Sequence, residues 1–65
     1  MSADEALTKA EELLGRLEAA RARLEATDDP DQAIEVLQEL AELARDIEAE
    51  LQRARRATEA DAADA

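Results

Sequence analysis

The stretch Ala26-Thr27-Asp28-Asp29-Pro30-Asp31-Gln32 decides how this chain folds. The residue before a proline is pushed out of the helical region, and a run of Thr and Asp favours turns over helix interiors. Asp29 has the chemistry of a helix N-cap, and Pro30 fits the first helical position, where its missing N–H would have had no partner anyway. Asp31 faces the positive helix end, and Gln32 stands where a capping box would reach back to the Asp29 amide. One helix therefore ends near Ala26, the turn occupies residues 27–29, and a second helix starts at Pro30.

Upstream, Ser2 and Glu5 have capping-box spacing, so the first helix is expected to run from about Ala3 to Ala26. Within it Ala3, Leu7, Ala10, Leu14, Leu17, Arg21 and Leu24 recur at spacings of 4, 3, 4, 3, 4 and 3, with Ala6, Leu13 and Ala20 beside that seam. Arg21 takes a place where a leucine would be expected; it can snorkel past the helix edge or meet an acid on a partner. Gly15 falls on the polar side and is read as tolerated. Downstream, Ala33, Leu37, Leu40, Ala44, Ile47, Leu51 and Ala54 repeat the same 4, 3 alternation, flanked by Ile34 and Ala41 on one side and by Val36 and Leu43 on the other. The second helix is expected over residues 30–57, and residues 58–65 as an acidic flexible C-terminal tail. A three-residue connection makes the helices antiparallel neighbours. The fold class is all-α: a two-helix antiparallel hairpin over residues 1–57, assembling into a helical bundle or on a partner.

Composition limits what such a hairpin can do. Of 65 residues, seventeen are Ala, nine Leu, two Ile and one Val, with eighteen acids against eight bases for a net charge of -10. Few large aliphatics and high net charge are the compositional mark of disorder, so position along the helix has to do what quantity does not. With no Cys and no His, disulfides, thiol nucleophiles, imidazole bases and ordinary zinc sites are excluded. No apolar run approaches the roughly 20 residues of a bilayer span, and the acidic beginning does not read as a signal peptide; a cytoplasmic location is expected. An acidic chain without aromatic residues offers neither a basic face for phosphates nor platforms for bases, so no direct nucleic acid contact is expected.

The charged residues read as support for the helices. Glu35, Glu39, Glu42 and Glu48 lie off the seam as a solvated face, and no metal site, cofactor or catalytic residue is expected. Glu5 with Lys9 and Glu12 with Arg16 are i to i+4 pairs in the favourable order. Arg53, Arg55 and Arg56 cluster toward the negative end of the second helix, where cations are favoured.

With the hairpin drawn, residues 10–56 resemble the exodeoxyribonuclease VII small subunit family. The residues that carry the resemblance are Ala10-Glu11-Glu12, Leu14, Leu17-Glu18, Arg23-Leu24-Glu25, Pro30, Ala33-Ile34-Glu35 and Leu43-Ala44-Arg45. Departures stand at Ala10, where the family has an aromatic, at Ala20-Arg21, where two aliphatics are typical, and at Asp29 and Asp31, where leucines flank the proline. The turn is also one residue shorter and lacks the family's glycine. The resemblance implies a non-catalytic subunit of a nuclease acting on single-stranded DNA, with the chemistry on a larger partner.

Read from the residues, the expected function is protein–protein association without catalysis, as a self-assembling or adaptor hairpin. The candidate interface is Leu7, Leu13, Leu14, Leu17, Leu24, Ile34, Val36, Leu37, Leu40, Leu43, Ala44, Ile47 and Leu51. The expected partner is a second copy or a larger helical subunit, with no membrane and no small molecule involved. The nuclease small-subunit reading is the alternative.

Overall fold

A computed structural model describes residues 2–64, with side chains described for residues 2–60. Two helices, α1 (Ala3–Ala26) and α2 (Pro30–Asp64), pack on each other as a hairpin. Their ends follow from side-chain capping. Ser2 is extended, and its Oγ accepts the Glu5 N–H at 3.1 Å, satisfying an amide that the first helical turn cannot. At the other end of α1 the Thr27 N–H donates to the Leu24 carbonyl at 3.4 Å. Asp29 Oδ1 then accepts the Asp31 N–H at 2.9 Å, while the Asp29 carbonyl takes the Ala33 N–H at 2.9 Å and opens α2. Gln32 differs from expectation. Its Oε1 accepts the Thr27 hydroxyl at 3.2 Å, so it staples the turn instead of reaching back to the Asp29 amide.

The contact between the helices has a different register from the one predicted. In α1 the positions withdrawn from water are Ala3, Ala6, Ala10, Leu13, Leu17, Ala20 and Leu24; in α2 the stripe is Ala33, Val36, Leu40, Leu43, Ile47, Glu50, Ala54 and Ala57, with Glu39 half-buried beside it. Both series alternate by 3 and 4, which keeps one stripe of each helix on the other. Buried and partly buried positions alternate along each stripe: Leu13, Leu17, Ala20 and Leu24 in α1, and Val36, Leu40, Leu43 and Ile47 in α2. The centre of the core is Leu13, Ala20, Val36 and Leu43, closed in by Leu17, Leu24, Leu40 and Ile47.

The expected seam through Leu7, Leu14, Arg21, Leu37, Ala44 and Leu51 is thereby corrected: those six positions are exposed. Arg21 gives the physical reason in α1. A seam through residues 7, 14 and 21 would bury its guanidinium, whereas turning the helix by one residue brings in Ala20 and leaves Arg21 in solvent. In α2 the same turn exchanges Leu37 and Ala44 for Val36 and Leu43 next to the bend, at the cost of exchanging Leu51 for Glu50 far from it.

The second helix also outruns its expected end at Ala57 and continues to Asp64. After Pro30 no Gly or Pro interrupts it, and alanine is the best helix former. Arg55 and Glu59 bridge at 3.1 Å one turn apart across that expected end. The side chains from Asp61 onward, and Ala65 altogether, lie outside the described residues, as does that part of the expected flexible tail. Among the described residues no helix is long and apolar enough to cross a membrane.

Candidate functional site

Rotating the seam by one residue sorts the large aliphatics into two sets. Leu13, Leu17, Leu24, Val36, Leu40, Leu43 and Ile47 lie within the hairpin. Leu7, Leu14, Ile34, Leu37 and Leu51 keep between 44% and 54% of their surface in water. These five do not scatter. Leu7 and Leu14 come one residue after seam positions Ala6 and Leu13, and Leu37 and Leu51 one residue after Val36 and Glu50. A helix carries successive residues around its axis in a fixed sense, and the two helices run in opposite directions. A one-residue step off the seam therefore lands on the same side of the hairpin in both. Ala44 completes the row, and Ile34 and Ala41 lie just beyond it on α2.

The opposite side is charged. It carries Lys9, Arg16 and Arg23 from α1 against Gln32, Glu39, Asp46 and Arg53 from α2. Arg23 Nη2 donates to Glu39 Oε2 at 2.5 Å, tying the helices together on that side. Arg21, one residue after seam position Ala20, falls in the same row as Leu7 and Leu14 at its turn end, where it donates to Glu25 at 2.7 Å and to Glu18 at 3.4 Å. Its side chain is exposed and held by acids of its own helix. Neither Glu5–Lys9 nor Glu12–Arg16 is among the ion pairs of the described residues. Exposed pairs of that kind contribute only ~0.2–0.5 kcal/mol and do not dictate geometry.

One acid was not anticipated in the core. Glu50 is 5% exposed. Its Oε1 accepts from Arg53 Nη1, and its Oε2 has no hydrogen-bond partner. Its sequence signal is the 4, 3, 4 spacing of residues 43, 47, 50 and 54, which the leucine at 51 masks. No group of acids among the described residues is placed to hold a metal ion. A shallow hollow of about 600 Å³ lies beside the turn, lined in part by Arg23, Asp28, Asp29 and Glu35. The rest of its lining is Ala26, Thr27, Gln32 and Val36.

Of the thirteen residues expected at an interface, then, seven build the hairpin itself and six, Leu7, Leu14, Ile34, Leu37, Ala44 and Leu51, stay open to solvent. No protein-family model, curated protein or solved structure matches the chain.

Proposed function

We propose that this chain is a non-catalytic protein–protein association module whose docking surface is the open apolar face of the hairpin. The observation that carries the reading is the segregation of Leu7, Leu14, Ile34, Leu37 and Leu51 onto one side, each about half exposed. Single exposed leucines are ordinary, but a contiguous apolar face bordered by charge on a small protein marks an interaction site. The partner class is another helical surface, since Leu7 and Leu14 on α1 and Leu37, Ala44 and Leu51 on α2 offer two rows of ridges and grooves that a helix fills. A cytoplasmic setting belongs to the same proposal.

The test is Leu14→Asp, which places a charge in the middle of that face without touching the core. Association is expected to weaken by about 3 kcal/mol, roughly 100-fold in affinity, with helicity retained by circular dichroism. Asp46→Ala, on the charged side, serves as the control. Sedimentation showing equal association for both variants would place the docking surface elsewhere.

The second reading, a small subunit of an exodeoxyribonuclease VII-like nuclease, rests on the resemblance of residues 10–56. It is favoured specifically by the exposure of Leu14 and Ile34, two residues of that resemblance that the hairpin leaves free. Co-expression with the large subunit of such a nuclease separates the two readings: failure to co-purify ends this one and leaves the association module standing.

A further inference from the structure

Each helix carries two overlapping apolar stripes, and in α2 the two are close to interchangeable. Ala33, Leu40, Ile47 and Ala54 belong to both. Val36, Leu43, Glu50 and Ala57 complete the stripe that faces α1, while Leu37, Ala44 and Leu51 complete a second one that lies in water. The stripe in use buries a carboxylate: Glu50 is 5% exposed, its Oε1 accepts from Arg53 Nη1 and its Oε2 has no partner. One residue further on, Leu51 keeps 48% of its surface in water. An unsatisfied buried acid beside an exposed leucine is the reverse of what burial favours. In α1 the matching exchange is closed, because it would carry Arg21 into the seam in place of Ala20.

We propose that α2 is a two-position element, turning about its own axis between the stripe it now presents to α1 and the second stripe through Leu37, Ala44 and Leu51. Successive residues stand ~100° apart around a helix, so moving the middle of the stripe across the shared row takes about 50°, and a backbone ~2.3 Å from the axis travels only ~2 Å. The exchange trades Val36, Leu43 and Glu50 for Leu37, Ala44 and Leu51, while Leu40, Ile47 and the α1 side of the seam keep their places. Packed helices pass between discrete arrangements of this kind, because a close-packed contact does not deform continuously. Glu50 gains most. The turn carries it toward the side that holds Lys9, Arg16 and Arg23, where water and cations reach its unpaired oxygen. Among the described residues Arg23–Glu39 is the one ion pair between the helices that has to break, and an exposed pair opposes the motion little. In the second position Ile34, Ala41 and Glu48 replace Leu37, Ala44 and Leu51 on the open face, which puts an acid where a leucine stood. The rotation stands on the hairpin alone; its consequence, that docking selects the position now occupied and the second one withdraws the surface, rests on the association reading above.

Methyl relaxation-dispersion NMR on the full chain, labelled at Leu and Val, reads motion on the microsecond-to-millisecond scale that such a turn occupies. Turning α2 as a unit moves Val36 and Leu37 beside the bend together with Leu51 far from it, so their methyls are expected to share one exchange rate. Two substitutions outside the seam in use set the direction. Ala44→Leu adds a large aliphatic to the second stripe alone and is expected to raise the shared exchange amplitude several-fold. Leu51→Ser removes one and is expected to abolish it, with helicity retained in both by circular dichroism. Parting of the helices at their open end is the competing motion; it would stir Leu51 without Val36 and Leu37 and would ignore Ala44→Leu. Repeating the series in the Leu14→Asp chain, whose open face is blocked, separates rotation from association. Shared exchange that persists there and follows both substitutions supports the proposal. Exchange confined to the open end, or absent even with Ala44→Leu, overturns the rotation and leaves docking standing; exchange that vanishes with Leu14→Asp is association itself, and overturns the rotation while supporting the docking surface.

Discussion

Next to the turn the seam holds Leu17, Ala20, Leu24, Ala33, Val36, Leu40 and Leu43, and midway Leu13 and Ile47; at the open end it holds Ala6, Ala10, Glu50, Ala54 and Ala57. The backbone does the same thing in both halves, yet the side chains between the helices differ in kind. Fully burying a large aliphatic contributes ~1.5–3 kcal/mol, whereas an alanine offers one methyl, at roughly 0.8 kcal/mol. The open half also carries a carboxylate with an oxygen that nothing satisfies, a group whose desolvation is costly. The difference teaches that this hairpin is pinned at its bend and only closed, not locked, at its open end. The largest expected effect follows from the pinned half. Leu43→Ala removes a central side chain and is expected to cost ~2–5 kcal/mol, enough to unfold a small domain at 25 °C by circular dichroism. A loss below ~1 kcal/mol would break the contrast, because the core would then not reside beside the turn.

The open half predicts the opposite sign. Replacing a buried, incompletely paired charge by an apolar side chain of similar size often stabilises a protein. Glu50→Leu is accordingly expected to raise stability by ~1–3 kcal/mol, and to slow amide hydrogen exchange around Ala6 and Ala10, which share that end of the seam. A destabilised variant would mean that the bond from Arg53 outweighs burial, and that the two halves are equally held.

Much of this polarity was legible in the sequence, and the part that was not has a physical origin. Asp29-Pro30 and Ser2 placed both helix starts, because capping depends on residues within one turn of each other. The face of each helix was harder. At 6 and 7, 36 and 37, and 50 and 51 the chain offers two adjacent candidates, and choosing the larger aliphatic puts Leu7, Leu37 and Leu51 in the seam; at 13 and 14 both candidates are leucine, and size decides nothing. The hairpin takes Ala6, Leu13, Val36 and Glu50, since a helix must turn as a whole and the position that settles α1 is 20 against 21, where alanine packs and arginine does not. Glu50 is then carried into the core by the gain at Val36 and Leu43, four and two turns away. The association face was legible as surplus apolar width, but its membership depended on that rotation. Composition alone suggested disorder; seven large aliphatics in the seam account for the fold, and the five outside it are what the proposed docking uses.

The smallest effect concerns whether charge contributes to the contrast between the halves. Among the described residues Arg23–Glu39 is the one ion pair that joins α1 to α2, and it lies in the half next to the turn. Its side chains are 57% and 43% exposed, so water screens the attraction and two long side chains lose freedom in making it. A double-mutant cycle with Arg23→Ala and Glu39→Ala is expected to return a coupling of ~0.2–1 kcal/mol, decreasing as salt is raised. That is well below the loss at Leu43, so the pinned half is held by its aliphatics and the ion pair merely decorates the charged side. A coupling above ~2 kcal/mol would reverse this assignment: the firmness of the bend would then be electrostatic, and Leu43→Ala and high salt should loosen the same half to comparable extents.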